Sequence, residues 1–194
     1  MSALTVLLLR HAEKPGGDYP GVGRTFEGKR DDKSLIVRGW QRAGAWAALL
    51  GSGLSADYPL PTIIYAARPE PVTAEASFSH RPWETALPLA RRLYLDVNTR
   101  WGVGQEQALV EELTKLTGTV AIFWEHKAIP TQIIPALLGS QSIPGVPAKW
   151  DSDRFDVVLR FDRATPDAPW SYRQLSPRLL DGDSDKPFAE LRTL

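Results

Sequence analysis

Cysteine is absent from all 194 residues, which excludes disulfides, thiolate metal sites and cysteine nucleophiles. Surplus charge is absent too: 23 Lys and Arg balance 23 Asp and Glu. The chain therefore lacks the basic excess that marks nucleic-acid partners. No stretch reaches the roughly 18 consecutive apolar residues of a membrane span. The apolar run at the N-terminus is short, has no basic flank and passes straight into Arg10 and His11, which makes it a poor signal peptide. A cytoplasmic location is the default expectation. Internal repeats, low-complexity tracts and interdomain linkers are missing as well, so residues 1–194 read as one domain. Histidine is scarce, with three in the chain.

What is present is an ordinary globular composition, 43% hydrophobic and 24% charged, long enough to bury a sizeable core. Residues 4–10 form an apolar run that ends abruptly in Arg10 and His11. Such a run reads as a strand buried on both faces of a parallel sheet. Residues 119–124 repeat the pattern and lead into Glu125 and His126. Two of the three histidines thus terminate buried strands. In open α/β sheets that carboxyl edge is where ligands bind.

Between these strands the chain alternates. Residues 12–34, rich in Gly, Pro, Asp and Lys, lack periodicity and read as a flap over the strand end. Residues 37–50 carry Trp40, Ala43, Ala47 and Leu50 at helical spacing and stop at Gly51. Residues 62–66 form a second strand, followed by a loop to Ser79. Residues 81–94 form a helix with Pro82 in its first turn, Ser79 as its cap, Leu87, Ala90 and Tyr94 on one face, and a kink at Pro88. This placement puts Arg81 at a helix N-terminus, where the dipole disfavours a cation unless an anion sits beside it. A short edge strand at 95–97, an amphipathic helix at 105–116, the strand at 119–124, a short helix at 129–138 and a hairpin at 155–161 and 170–175 complete the order. Residues 176–194 read as a polar surface tail. The alternation predicts an α/β three-layer sandwich, a mainly parallel sheet with helices on both faces.

Arg10, His11, Arg81 and His126 would then converge at one sheet edge. Two guanidiniums and two imidazoles make a receptor for a tetrahedral dianion, because arginine's forked donors match phosphate oxygens. One imidazole can also act as nucleophile near neutral pH. A histidine taken singly is more often a surface or satisfied core residue. The equivalent positions of His11 and His126 on two strands, one preceded by arginine, favour the functional reading.

These same residues carry a resemblance to the histidine phosphatase superfamily, also called phosphoglycerate mutase-like. Leu9-Arg10-His11-Ala12-Glu13 resembles its Arg-His-Gly signature, with Ala12 in place of Gly. Gly39, Gln41 and Ala43 resemble its first helix. Arg81-Pro82-Trp83-Glu84-Thr85-Ala86 resembles its Arg-Ala-x-x-Thr-Ala segment. Ile122 to His126 resembles its second histidine strand. The resemblance spans about residues 4–138. It implies the phosphoglycerate mutase-like fold and a metal-independent phosphatase with no cofactor, in which His11 is the nucleophile and Arg10, Arg81 and His126 bind the phosphoryl group.

Two departures affect the general acid. Gly17 stands where mutase-type members carry Asn, and Lys127 stands where acid-phosphatase and phytase types place an Asp. Glu125 ranks first as proton donor, followed by Glu13, Glu84 and Glu106; a member with no dedicated acid would suit a good leaving group such as phosphohistidine. The expected substrate is a small phosphorylated metabolite or a phosphoprotein. Lys29, Arg30, Lys33 and Arg68 could add anion contacts. The alternatives are a non-catalytic phosphate- or phosphoprotein-binding domain, a phosphomutase, and a metal site of His11, His80 and His126. The two arginines argue against the metal site. None of the seven tryptophans is assigned to substrate, and the sequence does not set the oligomeric state.

Overall fold

The structure is a computed structural model that describes residues 3–70 and 78–188. Strand β1 (Leu4–Arg10) lies inside a six-stranded sheet. Its neighbours are β4 (Gly118–Trp124), parallel to it, and β5 (Val158–Arg163), antiparallel. Beyond β4 come β2 (Ile63–Ala66) and the two-residue β3 (Val97–Asn98), both parallel; beyond β5 comes β6 (Ser171–Leu175), antiparallel. The order is β3-β2-β4-β1-β5-β6. Four parallel strands and a hairpin edge make the mainly parallel sheet that the alternation predicted.

Side-chain alternation explains why β1 and β4 read as continuous apolar runs. Leu4, Val6 and Leu8, with Val120, Ile122 and Trp124, face one core together with α3 (Glu106–Leu113) and α4 (Ile134–Leu138). Leu7 and Leu9, with Ala121 and Phe123, face the other core together with α1 (Val37–Leu50) and α2 (Arg81–Leu93). Helices therefore cover both faces, giving three layers. Full burial of each such leucine contributes about 1.5–3 kcal/mol. A π-helical turn at Ile129–Ile133 runs into α4, and Gly139 closes it at φ 57°. None of the described helices is long and apolar enough to cross a membrane.

The register of β1 on β4 matters for the site. Leu4 pairs with Gly118 and Arg10 with Trp124, so the two strands end level. The backbone N–H of His11 continues the ladder, donating to the Trp124 carbonyl at 3.0 Å.

Three expectations change. Tyr94 is not on the inner face of α2: it is the helix C-cap, left-handed at φ 55°, and 96% exposed. Ser79 does serve the first turn of α2, accepting the Arg81 N–H at 3.3 Å, although the cap position itself is His80; α2 continues through Pro88 to Leu93. The stretch 176–188 is on the surface, as expected, but it is anchored at two points. Phe188 is buried against Trp150 at 5.0 Å between ring centroids, and Asp183 is buried in an ion pair. Arg178, Asp181, Asp185 and Lys186 do face water, so the stretch is held by the two ends of its inner half, Asp183 and Phe188. The rest of the expected tail, 189–194, lies outside the described residues.

Candidate functional site

His11 follows the last residue of β1 and is 4% exposed. Its Nδ1 lies 2.8 Å from the Ala12 carbonyl oxygen. A carbonyl only accepts, so Nδ1 carries the ring proton and Nε2 keeps its lone pair. Ala12 is fixed in turn: its N–H donates to Thr85 Oγ1 at 2.9 Å, and the Thr85 hydroxyl donates to the Arg81 carbonyl at 2.7 Å. The histidine loop is bolted to the first turn of α2. Burial, and after it the Arg10 charge, push His11 down from the ordinary histidine value to about 3; Arg81 and His126 add to this, and the Ala12 bond opposes it. The imidazole is neutral, the form that can attack.

His126 sits just past the end of β4. Its ring centroid is 6.5 Å from that of His11, with the planes at 87°. Both line a cavity of about 420 Å³. Arg81 lines it too, with Nε donating to the Ser34 carbonyl at 3.4 Å and Nη2 to the Asp32 carbonyl at 2.6 Å. The flap thus holds Arg81 against the pocket. The remaining wall includes Lys14, Lys33, Arg68 and Lys127, with Phe78, Pro82 and Val103 as apolar surface. Lys33 and Arg68 are among the four loop cations named from the sequence; Lys29 and Arg30 do not reach the pocket. Lys14, Lys127 and Glu70 belong to it without having been assigned to it from sequence; the signal available was that Lys14 and Lys127 follow closely on the two histidines. Lys14 is pulled below the usual lysine value by burial, then by Arg81, Arg10 and Lys127. The pocket carries concentrated positive charge in a chain of zero net charge.

Arg10 is placed differently from its neighbours. It is 2% exposed and does not line the cavity. Its Nη1 donates to the carbonyls of Ser152 at 2.7 Å and Arg154 at 3.1 Å, with Asp151 more distant at 3.4 Å, and its guanidinium lies 3.8 Å over the Phe155 ring. Its Nε is buried without a partner among the described residues.

The carboxylates named as general acids each have an occupied position. Glu125 lines the cavity, but its Oε2 accepts the N–H groups of Lys127 and Ala128, both at 2.9 Å, and its Oε1 lies 2.8 Å from His126 Nδ1. That last contact is close but lacks hydrogen-bond alignment. Burial raises Glu125, but His126 and the two N–H groups outweigh it and hold the carboxyl at about 2. An ionised acceptor is the reverse of a proton donor. Its geometry corrects the sequence assignment: Glu125 braces His126. Glu13 is 1% exposed and engages Arg42. Glu106, buried, accepts from Trp124 Nε1 at 2.9 Å and from the Gly104 N–H at 3.0 Å, shaping the wall at Gly102 and Val103. Glu84, 2% exposed, accepts the Leu35 N–H at 2.8 Å. Burial raises Glu84 to about 7 against the pull of Ser34 and Leu35, yet it does not line the cavity. His80 packs edge-on against Phe78 at 5.9 Å. Among the described residues, no three His, Asp or Glu side chains gather in metal-ligating geometry.

No family model and no curated protein matches this chain. Solved structures do. One titled "Mycobacterial hydrolase 2" aligns over 89% of this chain and 90% of its own, with TM-score 0.53 and 15% identity. The protein histidine phosphatase SixA, in a complex with tungstate, aligns over 89% of this chain and 97% of its own, with TM-score 0.52 and 13% identity. The chain has the histidine phosphatase, phosphoglycerate mutase-like fold.

Proposed function

We propose that the chain is a phosphatase acting through a covalent phosphohistidine on His11. The observation that carries this reading is the His11 ring. Its Nδ1–H is spent on the Ala12 carbonyl, so Nε2 is the nucleophilic nitrogen at a pocket walled by Arg81, His126 and lysines. The SixA complex holds tungstate, a tetrahedral oxyanion like phosphate, and this pocket's charge suits the same geometry.

In the first step His11 Nε2 attacks phosphorus in line, the N–P bond forms and the P–O or P–N bond to the leaving group breaks. Arg81 and His126 take the charge on the equatorial oxygens. Arg10, buried and off the cavity wall, contributes its positive charge rather than a direct contact. In the second step water attacks phosphorus, the N–P bond breaks, and inorganic phosphate leaves with His11 restored. The protein's own cations supply the positive charge, so the scheme draws on no metal or cofactor.

The occupied carboxylates favour substrates whose leaving group needs little help from a protein acid. Protein phosphohistidine and aryl phosphates are of that kind; alkyl esters of small metabolites are the harder case. A second reading, a phosphate-binding domain without turnover, draws on the same missing acid.

Hydrolysis of an aryl phosphate in EDTA by the native chain and by His11→Ala tests the proposal. Turnover in the first and none in the second is expected. Equal turnover in both overturns it, and phosphate binding without turnover selects the second reading.

A further inference from the structure

We infer that the segment 176–188 is a strap that positions His11 through Arg42 of α1, with a second route to Arg10, and that Asp183 is its principal positioning residue. The inference rests on His11 being the reacting group.

The geometry forms two rungs. Arg38 and Arg42 stand one turn apart on α1. Arg42 donates Nε to both oxygens of Glu13 at 2.9 and 3.0 Å and Nη2 to Glu13 Oε1 at 2.8 Å. Its Nη1 and Nη2 reach Asp183 Oδ2 and Oδ1 at 3.0 and 2.7 Å. Arg42, Glu13 and Asp183 are all at most 3% exposed at the side chain. Arg38 Nε lies 3.3 Å from Glu13 Oε1, and its Nη2 donates to the Asp181 carbonyl. Both arginines therefore join Glu13 to the strap.

Glu13 matters because of the peptide that precedes it. The carbonyl of Ala12 and the N–H of Glu13 belong to one planar unit. That carbonyl accepts His11 Nδ1–H and so sets the ring's orientation and tautomer. The other side of Glu13 is held by its own carbonyl, which accepts the Ile36 N–H at 3.2 Å. With the side chain clamped by arginine and the carbonyl by Ile36, the 12–13 peptide has little freedom to rotate. The strap reaches Arg10 by a second route. Arg154 donates to the carbonyls of Ser184 at 3.2 Å and Lys186 at 2.9 Å, and the Ser184 N–H donates to Asp156 at 2.7 Å. The same Arg154 supplies a carbonyl that holds Arg10. Asp183 belongs to the first route, the one that ends on the nucleophile.

The test uses the fact that the chain has three histidines, so imidazole nitrogen NMR resolves each ring. In the native chain His11 shows the Nδ1–H tautomer. Asp183→Asn is expected to shift the His11 ring nitrogens towards a mixed tautomer while leaving those of His80 in place. In the aryl phosphate assay it lowers kcat by about tenfold to a hundredfold, with KM within about twofold, the scale of a small misplacement of reacting groups. Asp183→Glu restores part of both. Melting curves confirm that each variant is folded at the assay temperature. Should Asp183→Asn fail to fold, Arg38→Ala cuts the outer rung at a side chain 20% exposed, and the same direction of change is expected. An unmoved His11 tautomer with unchanged kcat overturns the inference. If His11→Ala keeps full turnover, the proposed reaction falls, and the tautomer measurement still decides the strap.

Discussion

His11 and His126 meet edge to face, 6.5 Å between ring centroids, and the two reach that arrangement by different means. His11 is set by the Ala12 carbonyl. His126 is set by an ionised neighbour, Glu125, which is itself anchored by two backbone N–H groups.

The second of these arrangements can be tested directly. Glu125→Gln keeps the size of the side chain and removes its charge. If Glu125 braces His126, kcat falls about tenfold or more, while the basic limb of the pH–rate profile stays where it was. His126→Ala costs more, about 10²–10³ in kcat, the usual loss for one donor to transition-state charge. A basic limb that disappears in Glu125→Gln would return the acid role to this residue.

The depressed His11 value has a consequence for stability. In the unfolded chain the ring titrates near the ordinary 6.5; folded, it stays neutral down to about 3. Below pH 6.5 the unfolded state therefore binds a proton that the folded state does not, and stability falls as pH drops through that window. His11→Gln is expected to flatten the decline in Tm between pH 6.5 and 4. An NMR titration of His11 with a midpoint near 6.5 would contradict the burial argument.

Glu84 works in the opposite sense. Its folded value is about 7 against 4.5 for the free side chain, so ionisation favours unfolding as pH rises between them. Glu84→Gln keeps an acceptor for the Leu35 N–H and removes the buried charge. Its Tm relative to the native chain is expected to be higher at pH 8 than at pH 5. Equal offsets at both pH values, read from thermal melts, would rule this out.

Two glycines of α1 make a contrasting pair. A Cβ on Gly39 would lie 2.4 Å from the Glu13 carbonyl oxygen, a backbone atom that cannot yield cheaply, whereas one on Gly44 meets nothing within 4 Å among the described residues. Gly39→Ala is expected to destabilise by about 1–3 kcal/mol, as overpacking does, and to disturb the His11 loop. Gly44→Ala is expected to stabilise by about 0.5–1 kcal/mol through helix propensity. Urea titrations of the two variants decide both.

Much of this architecture was legible in the sequence because it is local. Runs of apolar residues mark β1 and β4, helical spacing marks α1, and an abrupt change from apolar to charged residues places His11 and His126 at the same sheet edge. The pairing of level strands then needed nothing more than parallel register. What the sequence did not hold was the partner of each charge. Glu13 bonds an arginine 29 residues away, and that arginine bonds an aspartate 141 residues further on; no local pattern records such a pair. For the same reason 176–188 read as a polar tail although its Asp183 is paired inside, and Glu125 read as a proton donor although two backbone N–H groups and an imidazole hold it ionised. Periodicity determines which face of an element is buried, since that depends on neighbours within a turn or two. The protonation, orientation and reach of a buried charge depend on the field of groups brought together by the whole chain, and only the tertiary structure decided those.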